Sequence, residues 1–156
     1  MPSEELFRLP GSPGCIVCDN NGSNHRSLGL SIMWNEAEKK LQIPCLPDAS
    51  WCGYSSVVHG GVVATVLDEA MAWAVKQVSG DWAFTADFKI RYKKAVEPGR
   101  EYTAVAWVDM LDSRLILAEA RFLDDKGGIA AKASARFMPA KGKAMPRLTP
   151  EFAAEA

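Results

Sequence analysis

The residues of this sequence best suited to chemistry surround the start of an apolar segment. His59 is followed directly by Gly60 and Gly61, and the adjacent acids Asp68 and Glu69 come nine and ten residues after the histidine. Free N–H groups in the first turn of a helix carry partial positive charge, and glycine lets a carbonyl group approach them closely. The two glycines therefore predict a binding site for a substrate carbonyl. A carboxylate further along the same helix could then act as a nucleophile or as a general base for water.

The two acids are predicted to have different surroundings. At about 100° per residue, Glu69 falls on one stripe of the helix with Thr65 and Lys76, whereas Asp68 has mostly apolar helical neighbours. Burial raises the free-energy cost of ionising a carboxylate. We therefore expect Asp68 to be the catalytic acid and Glu69 to lie at the more solvated edge, within reach of the substrate. The alternative for each acid is a structural carboxylate paired with a hydroxyl or backbone group.

The periodicity of the sequence predicts the elements that position these residues. A helix is predicted over residues 61–79, ended by Gly80. Alternating apolar and polar residues predict four strands after it, at 83–92, 102–110, 114–123 and 129–138, and a strand pair before it, at 28–34 and 38–46. Short connections favour antiparallel neighbours, and one apolar helix must pack on the apolar face of such a sheet. The predicted fold class is α+β, with a helix on a curved sheet.

Length and composition indicate one globular domain. The chain has 156 residues, of which 48% are hydrophobic, enough for a single core. We expect a loop-rich N-terminal segment at 1–27, because it is rich in Pro, Gly, Asn and Ser, one domain at 28–138 and a tail at 139–156. Residues 44–58 are predicted to form a long loop, and such loops are often functional.

The charge balance excludes several classes of partner. A formal net charge of -1 predicts no general attraction to nucleic acid or to an anionic membrane, so an anionic ligand must be held by local cations. No apolar run is long enough to span a membrane, and the N-terminus MPSEELFRLP lacks the features of a signal peptide. We expect a cytoplasmic protein with neither a nucleic-acid nor a membrane partner.

Four cysteines raise the question of a metal site. Cys15 and Cys18 form a C-x-x-C pair, but Cys45 and Cys52 lack the usual spacing of zinc ligands. A zinc site would require this second pair to converge on the first. We expect reduced thiols in loops and no metal, in keeping with a reducing compartment, and a zinc site is the alternative.

The motif around His59 resembles that of a known family. The H-G-G at 59–61, an acid nine residues after the histidine and the alternating TADFKIRY of residues 85–92 are similar to those of the hotdog-fold acyl-CoA thioesterases, in particular the small thioesterases of the phenylacetate-pathway type. The resemblance extends from about Leu28 to Phe137, and C15-x-x-C18 followed by L28-G-L resembles a subgroup of these proteins. It implies a long helix wrapped by an antiparallel sheet, and a homodimer or dimer of dimers with active sites at the dimer interface. It also implies acyl-CoA hydrolysis without a metal or organic cofactor.

The same resemblance implies roles for individual residues. The Gly60 N–H would polarise the thioester carbonyl, His59 would orient or contact the thioester, and Asp68 would act as base or nucleophile. Thr85 would correspond to a polar strand residue that the opposite subunit contributes.

Coenzyme A carries phosphates, and these need local cations. Lys89, Arg91, Lys93 and Lys94 lie close together in sequence, and such side chains bind phosphate. We take Arg91 and Lys93 as the candidates, the alternative being a solvated face of the sheet.

Two other functions stay open. A non-catalytic acyl-CoA-binding module of the same fold would use the same pocket without turnover. Dehydratases with a hotdog fold also have a histidine before an acid-bearing helix, and E69-A-M-A resembles theirs, but H59-G-G lacks their Phe-Pro-type turn. The predicted function is therefore hydrolysis of an acyl-CoA to the free acid and CoA.

Overall fold

The computed structural model describes residues 5–140 of the 156-residue chain. Within that range the chain forms strands and one long helix, with a single 3-10 turn at Ala49–Trp51. In chain order they are β1 (Leu6–Leu9), β2 (Ile32–Asn35), β3 (Lys40–Cys45), β4 (Cys52–Tyr54), β5 (Val57–Val58), α1 (Gly60–Ser79), β6 (Ala83–Tyr92), β7 (Tyr102–Leu111), β8 (Ile116–Asp124) and β9 (Ile129–Pro139). The helix, the four strands after it and the second strand of the pair before it lie where the periodicity predicted them. The first strand of that pair was predicted at 28–34 but forms at Ile32–Asn35, because residues 28–31 belong to the preceding loop. The predicted loop at 44–58 instead contains the 3-10 turn and the short strands β4 and β5.

One seven-stranded sheet wraps the helix. Its strand order is β1-β2-β3-β7-β8-β9-β6, every pair is antiparallel, and β4 and β5 form a separate two-stranded ribbon. Helix α1 contacts β3, β6, β7, β8 and β9. The structure is the predicted α+β hotdog fold, with one long helix packed on a large antiparallel sheet.

The strand order departs from the expected pairing of consecutive strands at one place. Strand β6 does not pair with β7 but crosses to the far edge and pairs with β9. The connection at 93–101 is held by backbone hydrogen bonds to β9 and β5. The Lys93 and Lys94 N–H groups both donate to the Ala130 carbonyl of β9, and the Val58 N–H of β5 donates to the Val96 carbonyl. The N-terminal end of α1 and the end of β6 are thereby held side by side.

The core lies between α1 and the inner face of the sheet. Val66, Leu67, Met71 and Val75 of the helix are buried, and the facing positions of the sheet are largely alanines. These alanines are Ala104, Ala106, Ala118, Ala120, Ala131, Ala133 and Ala135. Their small side chains let the helix approach the strands closely, and burial of each large helix side chain contributes about 2 kcal/mol.

Both ends of the helix have recognisable caps. At the C-terminal end, Gly80 has φ 80° and its N–H donates to the Lys76 carbonyl, a conformation that favours glycine. At the N-terminal end the cap is His59.

No helix among residues 5–140 has the length and apolar character needed to cross a membrane.

The N-terminal segment contributes more to the fold than its composition predicts. Strand β1 was not predicted, because a short stretch among prolines and glycines has no period to detect, yet it pairs with β2 at the sheet edge. Residues 11–31, here called the N-terminal loop, follow β1. The side chains of Val17 and Cys18 in this loop are buried. The Leu28 and Leu30 N–H groups donate to the carbonyls of Ile16 and Val17 and hold this loop in place. The predicted tail from residue 141 onward lies outside the described residues.

Candidate functional site

The start of α1 presents one free backbone donor. The His59 Nδ1 accepts a hydrogen bond from the Gly61 N–H at 2.8 Å, and the His59 carbonyl accepts from Val62 and Val63. Because Nδ1 is an acceptor here, a neutral His59 carries its proton on Nε2, which is left to donate. The Gly60 N–H has no hydrogen-bond partner within residues 5–140, so it is the amide of this turn that can bind a carbonyl oxygen.

Close approach explains the glycines beside this amide. The imidazole of His59 lies between Gly53 and Gly61, where an added Cβ would come within 3.0 Å of the ring on either side. A Cβ on Gly60 would lie 3.2 Å from the Tyr92 hydroxyl oxygen. Glycine at these positions therefore keeps the histidine and tyrosine rings against the backbone.

A cleft opens at the same end of the helix. It has a volume of about 550 Å³, and its walls include His59, Gly60, Tyr92 and Lys93. The Tyr92 hydroxyl donates to the Gly60 carbonyl at 2.6 Å, and burial raises the pKa of this tyrosine. Tyr92 was not among the predicted site residues. In the sequence, Tyr92 is simply the aromatic residue at the end of an alternating strand. Such a position is equally typical of a core residue, so the pattern alone did not indicate a functional role.

Asp68 lies on a different part of the helix surface. Its Oδ1 accepts a hydrogen bond of 2.6 Å from the Thr85 hydroxyl on β6. Asp68 is half-buried and Thr85 is exposed, so the carboxylate is more open than its apolar helical neighbours predicted. Its other oxygen, Oδ2, accepts no hydrogen bond within residues 5–140 and is available to a ligand.

A bulge in β6 brings Thr85 to Asp68. Thr85 pairs with Phe137 and Asp87 pairs with Arg136, so β6 has one extra residue, Ala86, at this point. Strict alternation placed Thr85 and Asp87 on the same face, and that expectation is wrong here. A bulge interrupts the alternation of side chains, and Thr85 turns to the helix while Asp87 lines a groove on the outer face of the sheet.

The amide and the carboxylate do not converge within one chain. Gly60 and Asp68 are eight residues apart on α1, which corresponds to about 12 Å along the axis at about 1.5 Å per residue. Neither Asp68 nor Thr85 lines the cleft beside Gly60. A single carbonyl cannot contact both groups of the same chain.

Glu69 does not lie at the solvated edge predicted for it. Its Oε1 accepts hydrogen bonds from the Trp73 indole at 3.0 Å, from the Cys18 thiol at 3.0 Å and from the Cys15 thiol at 3.4 Å. The neighbouring Cys18 thiol lowers the pKa of Cys15, whereas the Cys15 thiol, together with burial, raises the pKa of Cys18. The sequence could not show this cluster, because Cys15 and Glu69 are far apart along the chain and the N-terminal loop has no periodic pattern.

The predicted cationic cluster divides between two surfaces. Arg91 pairs in register with Lys132 and, with Lys89 and Arg121, lines a groove of about 300 Å³ on the outer face of the sheet. Lys93 lines the cleft beside Gly60 instead. Alternation in β6 and its connection to β7 cause this separation. Of the two predicted cations, Arg91 and Lys93, Lys93 shares a surface with the histidine motif, and Lys94 lines the same cleft.

A family model matches the middle of this chain. Residues 55–131, which contain the helix, its N-terminal motif and the strands β6, β7 and β8, match the family model described as the thioesterase superfamily. The matched region is just under half of the chain and is similar to the thioesterase superfamily. A curated sequence relative is an uncharacterized protein of Schizosaccharomyces pombe, 52% identical over 29 residues, which are 19% of this chain and 17% of that protein.

Solved structures share the fold of this chain at low sequence identity. A thioesterase superfamily protein superimposes with a TM-score of 0.72 and 17% identity, over 81% of this chain and 60% of its own. The E. coli PaaI protein from the phenylacetic acid degradation operon has a TM-score of 0.69 and 19% identity, over 79% of this chain and 88% of its own. An acyl-CoA hydrolase from Staphylococcus aureus, solved with butyryl coenzyme A, coenzyme A and coenzyme A disulfide, has a TM-score of 0.63 and 20% identity, over 70% of this chain and 68% of its own. The chain thus spans less than two thirds of the first of these proteins.

Proposed function

We propose that the protein hydrolyses an acyl-CoA thioester to the free acid and CoA. The observation that carries this proposal is a pair of half-buried, complementary groups on α1. One is the unpartnered Gly60 N–H beside a cleft, and the other is the Asp68 carboxylate held by Thr85. The match of residues 55–131 to the thioesterase-superfamily model and the fold shared with a CoA-bound acyl-CoA hydrolase support the same reaction.

The two groups supply the two requirements of thioester hydrolysis. The Gly60 N–H would donate to the thioester carbonyl oxygen and stabilise the negative charge that develops there as the carbonyl carbon is attacked. Asp68 would use Oδ2 to attack that carbon or to take a proton from the attacking water, while Thr85 holds Oδ1. Collapse of the intermediate breaks the carbon–sulfur bond, and the CoA thiolate leaves and takes up a proton. Where water is the attacking group, this step releases the free acid directly. Where Asp68 is the nucleophile, it leaves an acyl–Asp68 anhydride, which water then hydrolyses to the free acid and the Asp68 carboxylate. His59 would orient the thioester through its Nε2–H.

We infer that the complete site needs a second copy of the chain. The separation of about 12 Å between Gly60 and Asp68 prevents one chain from supplying both groups to one carbonyl. Strand β6 is an edge strand of the sheet, so its outer side presents backbone donors and acceptors that a second β6 can pair with. Such a dimer would carry Asp68 and Thr85 of one protomer to the Gly60 cleft of its partner. Two dimers could associate further.

The substrate's CoA group needs a cationic contact near the cleft. Lys93 lines the cleft and is exposed, so it is the better placed of the two predicted cations. Arg91 lies on the outer face of the sheet and would reach a phosphate only where the nucleotide extends across the sheet edge. We place the reaction in the cytoplasm, where the four free cysteines would remain reduced.

The first experiment is an assay of thiol release from short, long and aromatic acyl-CoAs. The wild-type protein should hydrolyse at least one class well above the background rate, and Asp68→Asn should remove that activity. Asp87→Asn is the matched control, since it removes an exposed carboxylate from the outer face of the neighbouring strand. Absence of hydrolysis across the whole panel would reject the proposed function.

A non-catalytic acyl-CoA-binding module is the second candidate. The observation that favours it is the separation of Gly60 and Asp68 within one chain, because a protein that stays monomeric would offer the cleft without the acid. Tight acyl-CoA binding without turnover, unchanged in Asp68→Asn, would favour this alternative. A dimer in solution together with hydrolysis would exclude it.

A further inference from the structure

The thiols of Cys15 and Cys18 and the carboxylate of Glu69 form a compact group that the proposed reaction does not use. One ligand atom from each lies within 4.8 Å of the other two, and no other group of three His, Cys, Asp or Glu side chains among residues 5–140 meets this condition. Cys18 is buried, and the other two are half-buried. The group joins the N-terminal loop to the middle of α1.

The distances are close to those of a metal site. Zinc binds sulfur at about 2.3 Å and carboxylate oxygen at about 2.1 Å, so a sulfur and an oxygen ligand of one tetrahedral ion lie about 3.6 Å apart. The Glu69 Oε1 lies 3.4 Å from the Cys15 Sγ and 3.0 Å from the Cys18 Sγ. For these two sulfur–oxygen pairs, an outward shift of well under 1 Å reaches the spacing that zinc requires, and all three atoms lie within 4.8 Å of one another.

The backbone is also arranged to receive sulfur with negative charge. The Cys15 Sγ accepts hydrogen bonds from the N–H groups of Val17 and Cys18 at 3.3 and 3.4 Å, and the Cys18 Sγ accepts one from the Ser12 N–H at 3.2 Å. Donors directed at sulfur stabilise the thiolate, which is the form that binds metals.

The surroundings of Glu69 lack a positive side chain. Within residues 5–140 no lysine or arginine forms an ion pair with this carboxylate. A half-buried carboxylate without a cation is costly, and a divalent ion would compensate it directly. The Trp73 indole already donates to the Glu69 Oε1 and fixes the side chain, as partners outside a metal's own ligands commonly do.

We propose that Cys15, Cys18 and Glu69 bind one zinc ion that fastens the N-terminal loop to α1. Two thiolates select a borderline-soft ion such as zinc over magnesium or calcium. Binding forms two Zn–S bonds and one Zn–O bond, the two thiol protons pass to solvent, and the bound site keeps one negative charge. The fourth position falls to water, which reaches the ion past the half-buried Cys15. The ion would join the N-terminal loop to α1 and would take no part in the proposed hydrolysis, because Asp68 bonds to Thr85 and not to this group.

A disulfide between the two cysteines is the competing use of the same atoms. Oxidation would remove the hydrogen that the Cys18 thiol donates to Glu69 and would leave this carboxylate facing two sulfurs that cannot donate. Zinc instead satisfies all three groups at once. The geometry therefore favours metal binding.

The test uses the full-length protein, reduced and stripped with a chelator under nitrogen, then given Zn²⁺ or Co²⁺. We expect about one zinc per chain after gel filtration, and a sulfur-to-cobalt charge-transfer absorption in the cobalt form. Cys15→Ser and Cys18→Ser should lose the zinc and the absorption. Cys45→Ser, which removes a thiol buried at the end of β3, should keep both. Trp73→Phe should weaken zinc binding about tenfold through Glu69.

Three results would overturn the proposal. The first is a reduced wild-type protein that retains no zinc. This result counts against the proposal even if the same protein forms a Cys15–Cys18 disulfide in air. The second is zinc binding that Cys18→Ser leaves unchanged. The third is a wild-type cobalt form without the charge-transfer absorption, which would place the metal elsewhere and needs no variant to fold. None of these readouts depends on thioester hydrolysis.

Discussion

Asp68 and Glu69 are adjacent carboxylates on one helix, yet the structure gives them opposite surroundings. Asp68 faces the bulged edge strand β6, where a single hydroxyl from Thr85 holds one oxygen and the other oxygen is available. Glu69 faces the N-terminal loop, where an indole and two thiols surround one oxygen. The first environment suits a group that must react, and the second suits a group that holds two elements together.

The difference shows that partners, more than burial, separate the two acids. Both side chains are half-buried. A rotation of about 100° between consecutive helix residues is enough to direct one to a sheet edge and the other to a loop. A carboxylate with one fixed oxygen and one free oxygen retains its capacity to accept a proton or to attack a carbonyl.

The largest expected effect concerns Asp68, the proposed catalytic acid. Asp68→Asn should lower kcat by about 100-fold or more, the scale of a positioned acid or base, because the amide can neither take a proton nor attack. The measurement is thiol release from the best acyl-CoA, with Asp87→Asn alongside. An equal loss in both variants would mean that Asp68 acts through general charge and not through its position.

The next largest effect concerns Glu69 and its hydrogen-bond partner Trp73. Trp73→Phe should lower the free energy of unfolding by about 2 kcal/mol, because it removes the indole donor to Glu69 and leaves a small cavity beside Trp82. Urea denaturation of the chelator-treated protein measures this change. Trp107→Phe is the matched control, since the Trp107 indole donates to the exposed Asp109 and its loss should cost less than about 1 kcal/mol. Equal losses in the free energy of unfolding for the two variants would mean that the Trp73 hydrogen bond to Glu69 contributes no more than an exposed one.

A smaller effect tests how Asp68 is oriented. Thr85→Val should lower kcat about tenfold, since a hydrogen bond to a charged group contributes about 1.5 kcal/mol, while KM changes little. Thr85→Ser keeps a hydroxyl and should restore most of the rate. If serine fails to restore it, the threonine contributes packing, and the assignment of Thr85 as a positioning residue is wrong.

The smallest effect concerns the cleft at the start of the helix. Tyr92→Phe removes the hydrogen bond to the Gly60 carbonyl and should raise KM about threefold, in line with about 0.7 kcal/mol for a neutral hydrogen bond near the surface. Steady-state kinetics of hydrolysis measure it. A loss of kcat greater than tenfold would instead indicate that the tyrosine hydroxyl contacts the reacting group.

Much of the fold could be predicted from local pattern. The helix and β6 to β9 were placed to within about two residues, because strong amphipathic periods survive any tertiary arrangement. Strand β1 and the crossing of β6 to β9 could not be predicted, because pairing partners depend on contacts between distant segments. The sequence indicated the H-G-G motif and Asp68 as candidate site residues. Tyr92 and the orientation of Thr85 depend on a strand end and a bulge that have no local signature.

The sequence by itself determined which groups lie on α1 and in what order, because helix geometry follows from spacing. It thereby determined the histidine cap, the amide at Gly60 and the rotation between Asp68 and Glu69. Only the tertiary structure decided what each acid meets, since the N-terminal loop and β6 come from distant parts of the chain. The physical reason is that hydrogen bonds and metal ligands require atoms within about 3 Å, a precision that only packing provides.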